Sequence, residues 1–134
     1  MTITQLEVFA GKNGIIMFDA PLPDVKAMSI VGGCMCLDST LIETCAEKRV
    51  ILAHEIGHHM TGSFYNVYSS FDNRAKHEYR ADKWATHKLM PLNDVKTALH
   101  EGYDTPYDLA EYFNLPYDFV IRAMDIYQRQ GHVF

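Results

Sequence analysis

A chain of 134 residues that is 48 % hydrophobic and 22 % charged has the composition of one folded domain, not of a disordered segment or of two independent cores. Its formal net charge of −5 argues against a general binder of nucleic acid or of anionic membrane surfaces. The most apolar stretch, residues 27–37, is 11 residues long and broken by Gly32 and Gly33, too short to span a bilayer.

The opening MTITQLEVFAGKNG has no basic region followed by an apolar run, so no secretory signal is expected. Cys34, Cys36 and Cys45 are odd in number and form no spaced framework, which predicts reduced thiols and a cytoplasmic location. No second cysteine pair follows Cys34-x-Cys36 to complete a metal site, and the two read as small buried residues of a strand.

In chain order, residues 1–40 read as strand-rich. GIIMFD (14–19) is a short apolar run between a glycine and the turn at Pro21 and Pro23. VKAMSIV (25–31) and CMCL (34–37) are two further runs, and the Gly32-Gly33 link between them is a hairpin signal. Helical spacing begins after Asp38-Ser39-Thr40, with Leu41, Cys45, His54 and His58 on the recurring face and Gly62 as the stop. An aromatic loop with Phe64, Tyr65, Tyr68 and Phe71 separates this helix from a second, 74–90, which ends before Pro91. Shorter helices are expected at 92–101, 106–113 and 116–130, the last two opened by Pro106 and Pro116. The whole reads as a single α+β domain: an antiparallel or mixed sheet of about three strands on the first helix (1–40), two long helices (41–90), then a helical tail (91–134).

The stretch ILAHEIGHHM, from residue 51, contains His54-Glu55-Ile56-Gly57-His58, an HExxH pattern. Positions i and i+4 share a helix face, so both imidazoles reach one cation, and Glu55 lies beside that face as a general base. Two observations separate this from an exposed helix with scattered histidines. The preceding VILA turn is wholly apolar, and Gly57 inside a helix signals a close approach by another element. Two histidines leave a catalytic zinc half ligated, and Glu78 on the second long helix, 19 intervening residues after His58, supplies a third donor. Asp82 is again i+4 from Glu78, placed to accept the second ring N–H of a ligand histidine. Ala81 permits close helix packing, with Trp84 on the core side.

HExxH followed by EYRADKWA on a later helix resembles the gluzincin metallopeptidases. The further ATHKLMP (85–91) and the tail DLAEYFNLPYDFVIRAM make the resemblance specific to the ImmA/IrrE family of small metallo-endopeptidases, over residues 24–129. The resemblance implies a zinc peptidase of bacterial or phage origin that works in the host cytoplasm. It would cleave a helix-turn-helix repressor and so relieve repression of a phage or integrative element. Its ligands would be His54, His58 and Glu78, with Glu55 as base and Asp82 orienting a ligand histidine. The short chain is similar to the mobile-element ImmA branch. The rival expectation is a metal-stabilised antirepressor, or toxin–antitoxin partner, that binds its target without cutting it.

The oxyanion of such a reaction needs a donor besides the metal, and Tyr65, Tyr68, His77 and Tyr79 are the candidates, the loop residues Tyr65 and Tyr68 foremost. His59 points about 100° from His58 and reads as a bystander. VKAMSIV is a candidate edge for pairing with an extended substrate. The two rear helices have the outline of a DNA-binding helix-turn-helix, but residues 91–134 hold seven acids against three Lys or Arg, so no direct nucleic-acid partner is expected.

Overall fold

In the computed structural model, which describes residues 1–66 and 68–134, the chain opens with a helix that the sequence periodicity does not announce. The helix α1 (Ile3–Lys12) is capped by Thr2, whose hydroxyl accepts from Gln5 N–H while the Gln5 side chain accepts from Thr2 N–H. Its β-branched Ile3, Thr4 and Val8 suit a strand, and its buried stripe is only Leu6 and Ala10. So short a helix persists through packing, here against the HExxH helix. The front of the chain is therefore helix plus strands.

Three strands follow: β1 (Ile16–Asp19), β2 (Ala27–Ile30) and β3 (Cys34–Leu37). They form a mixed sheet of order β1-β3-β2, with β1 parallel and β2 antiparallel to β3. The hairpin expected at Gly32-Gly33 is present, pairing Ile30 with Cys34. Met35 and Leu37 of the central strand point into the core, so Cys34 and Cys36 fall on the outer face, half-buried rather than buried.

A single 3₁₀ turn (Ser39–Leu41) precedes α2 (Cys45–Thr61), which starts at its Thr44 cap, four residues later than the apolar spacing predicts. Ser70 caps α3 (Phe71–Leu89) and starts it one turn earlier than expected. The tail forms α4 (Leu92–His100), α5 (Pro106–Phe113) and α6 (Tyr117–Arg129), close to the predicted spans. The architecture is α+β, as the sequence indicates, and no helix among the described residues is long and apolar enough to cross a membrane.

The central element is α2, which packs against α1, β2 and α3. Leu52, Ala53 and Ile56 of α2 join Leu6, Met35, Leu37, Ala85, Leu89, Val120 and Tyr127 in one core. The α2–α3 contact is tight at Gly57. A Cβ there would lie 2.8 Å from the Ala81 carbonyl oxygen and 3.3 Å from Trp84 Cβ. The obstacle is backbone, which cannot rotate aside. We therefore expect Gly57→Ala to destabilise the protein by about 1–3 kcal/mol, against the roughly 1 kcal/mol that alanine gains in helix propensity. Thermal melts check this, and an unchanged or raised melting temperature would mean that the helices have room to part.

Candidate metal centre

One turn apart on α2, His54 and His58 face α3, and Glu78 and Asp82 face back from it with the same spacing. His54 Nε2 lies 2.6 Å from Glu78 Oε2, and His58 Nε2 lies 3.4 Å from Glu78 Oε1. The two Nε2 atoms are 3.1 Å apart, with the rings nearly perpendicular. Ligand atoms from all three residues fall within 4.8 Å of one another, and among the described residues this is the group with metal-binding geometry.

The rear nitrogens decide which tautomers face the centre. His54 Nδ1 is 2.8 Å from Asp82 Oδ1, and His58 Nδ1 is 2.6 Å from the Ser63 carbonyl oxygen. A carbonyl oxygen only accepts, so His58 carries its proton on Nδ1 and turns the Nε2 lone pair toward the centre. Asp82 accepts from Nδ1–H of His54 in the same way, which leaves the His54 Nε2 to face Glu78. The Ser63 contact depends on Gly62, which ends α2 in the left-handed conformation (φ 64°) and folds the chain back under His58. Sequence spacing identifies Asp82, but a backbone carbonyl has no residue signature, and only Gly62 hints at it.

Glu55 is buried beside the donor set, and the Ser29 hydroxyl of β2 donates to its Oε2. Tyr65 donates to Glu78 Oε1 at 2.5 Å and so joins the centre. Tyr68 does not: its side chain is 93 % exposed. His77 stands behind Tyr65, their rings stacked at 6.3 Å, and supports that ring rather than entering the site. His59 packs on Phe64 in a separate recess beside Gly14 and Gly33.

Electrostatics in this cluster are those of a cation site holding a proton. Burial pushes His54 down, but the Asp82 and Glu78 carboxylates outweigh it and raise its pKa from 6.5 to about 10. Burial pushes Glu78 up, but the facing His54 and His58 rings and the hydroxyl of Tyr65 hold it well below the usual carboxylate range. Burial, then the hydrogen bond to Glu78, raises Tyr65 to about 12, so it remains a hydrogen donor at neutral pH.

Two concavities meet at the centre. One, of about 750 Å³, runs toward Lys26, Glu47, Phe119 and Arg122; the other, of about 670 Å³, runs toward Met28, Phe64, Tyr65 and Arg74. Both include His54, Glu55, Glu78 and Ala27 of β2. Arg122 of α6 reaches within 3.8 Å of Asp82. The rear helices, expected to complete the core, thus also form one wall of the cleft.

The free edge of β2 borders this cleft. Asp38 N–H donates to Lys26 O, which makes Lys26 and Asp38 a hydrogen-bonded pair of the β2–β3 ladder. By alternation Met28 and Ile30 also bond to β3, while Ala27 and Ser29 turn their N–H and C=O groups outward.

The family model described as the IrrE N-terminal-like domain, peptidase M78, matches residues 18–125. The chain belongs to this family. No curated protein matches it. M78 peptidases are metal-dependent, and the His54, His58 and Glu78 group can hold a metal ion, with donors that suit a borderline cation such as zinc.

The paired charges predict the pH response of the metal-free protein. His54, raised on folding, contributes stability that is full below 6.5 and is lost as pH rises toward about 10. Glu78, depressed on folding, contributes stability that is full above 4.5 and is lost as pH falls. Thermal melts in chelator are therefore expected to peak between pH 4.5 and 6.5, and His54→Gln should flatten the alkaline limb. An alkaline limb identical in His54→Gln would contradict this assignment.

Proposed function

We propose that this chain is a zinc-dependent endopeptidase that cuts an extended segment of a protein laid along the free edge of β2. The observation that supports it best is the convergence of His54 Nε2, His58 Nε2 and the Glu78 carboxylate beside Glu55, within a cleft bordered by Ala27 and Ser29, whose backbone groups face away from β3. Family membership supports peptide hydrolysis as the chemistry. The resemblance to the ImmA branch supports a helix-turn-helix repressor of a phage or integrative element as the substrate, in the bacterial cytoplasm.

Zinc held by the two imidazoles and Glu78 would supply Lewis acidity, acidifying water and polarising a peptide carbonyl. The chain's own groups do the rest. Glu55 takes the proton of the attacking water and passes it to the leaving amine. Asp82 and the Ser63 carbonyl hold the ligand rings in register. An extended substrate pairs through its main chain with Ala27 and Ser29, which fixes the scissile carbonyl relative to Glu55. Tyr65 is the hydroxyl that reaches the donor set, and it donates to the oxyanion as negative charge develops.

Glu55→Gln keeps the shape and the metal ligands but removes the base. In purified protein mixed with a candidate helix-turn-helix repressor, intact mass should show two repressor fragments with wild type and none with Glu55→Gln, at equal zinc content. Derepression that survives Glu55→Gln undiminished would establish sequestration without cleavage. Tyr65→Phe tests the oxyanion role: kcat should fall about 10²- to 10³-fold, with zinc content maintained. Undiminished kcat would remove Tyr65 from the chemistry.

A further inference from the structure

Glu55 is held by a residue that no motif marks. Ser29, 26 positions earlier in the chain, donates from Oγ to Glu55 Oε2 at 2.5 Å and lies 3.2 Å from the Glu55 carbonyl oxygen. A carboxylate rotates broadly about its terminal torsion, so an anchor on one oxygen determines where the other points. With Oε2 committed to Ser29, Oε1 is the oxygen left to receive a proton.

The placement of Ser29 on the strand makes this more than a local contact. Side chains alternate along β2, so Ala27 and Ser29 turn toward α2 while Met28 and Ile30 point to the outer face. The main chain of Ser29 is also one of the two whose N–H and C=O face the free edge. One residue thus meets the base with its side chain and offers its backbone to an incoming strand.

We propose that Ser29 is a positioning residue, which fixes the orientation of the Glu55 carboxylate while its backbone registers the extended substrate against it. The consequence for turnover rests on the peptidase reading; the Ser29–Glu55 bond itself does not. Alanine removes the anchor. Threonine retains a hydroxyl and suits a strand.

The test uses the full chain in two forms. With zinc-loaded protein and fluorescein-labelled β-casein as the probe, Ser29→Ala should lower kcat about 10- to 100-fold with KM and zinc stoichiometry unchanged, and Ser29→Thr should restore most of the loss. In metal-free protein labelled with ¹³C at the glutamate side-chain carboxyls, the Glu55 line is assigned by its absence from Glu55→Gln. It should move or broaden in Ser29→Ala and hold in Ser29→Thr. The proposal is overturned if Ser29→Ala turns over casein within twofold of wild type. It is equally overturned if alanine and threonine lose activity alike, or if the Glu55 line ignores Ser29→Ala. A wild type that cleaves neither casein nor the repressor, with a Glu55 line that still responds to Ser29→Ala, would sink the peptidase reading and support the bond.

Discussion

The centre exists because α2 and α3 come closer than two helices with ordinary side chains allow. Gly57 has no Cβ to hold off the Ala81 carbonyl, and Ala81 presents only a methyl. At that separation a histidine on one helix reaches a carboxylate on the other without an intervening residue. The crossing also sets the register: His54 meets both Glu78 and Asp82, whereas His58, one turn on, meets Glu78 and then the returning chain at Ser63. Tertiary contact thus does what a flexible loop of ligands could not. It holds three donors around one point before any ion arrives.

That preorganisation has an electrostatic cost, because two carboxylates flank one ring in a partly buried site. Free of metal, the chain offsets it with a proton, and His54 sits as a cation between Glu78 and Asp82. In the metal-free protein that proton stands where positive charge is needed. Ligation must then expel that proton from His54 Nε2, and metal affinity accordingly rises with pH in the range where His54 would otherwise be charged. Tyr65 adds its own hydrogen bond to Glu78, a further interaction favouring the ionised form.

Residues whose place in the cluster follows from local spacing were legible in the sequence. His54, Glu55 and His58 share a turn, Glu78 and Asp82 share another, and Gly57 announces the approach between them. Ser29 and Ser63 were not legible. Ser63 acts through its backbone carbonyl, and Ser29 is an unremarkable strand residue whose partner lies 26 positions away. The aromatic loop shows the same limit, since nothing in its spacing distinguishes Tyr65, which reaches Glu78, from Tyr68, which faces solvent. Among whole elements, α1 escaped because its buried stripe is two residues wide, although Thr2 and Gln5 form a capping box visible in the sequence. Arg122 and Phe119 line the cleft through the docking of α6, and a helix's own periodicity does not reveal its neighbour.

The position of β2 constrains what the protein can act on. Ala27 and Ser29 offer hydrogen bonds to main-chain groups, and a segment already in a helix has no free N–H or C=O to answer them. On the peptidase reading, the substrate presents an extended stretch long enough to cross the centre and enter both arms of the cleft. In a folded partner such a stretch is a linker, a frayed terminus or a locally opened element. On the peptidase reading, the stability of one short segment of the partner then sets the cleavage rate as much as its sequence does. A repressor domain that opens locally would be cut where it opens. A shift in that opening equilibrium, by any ligand that binds the partner, would alter cleavage without changing an atom of the peptidase.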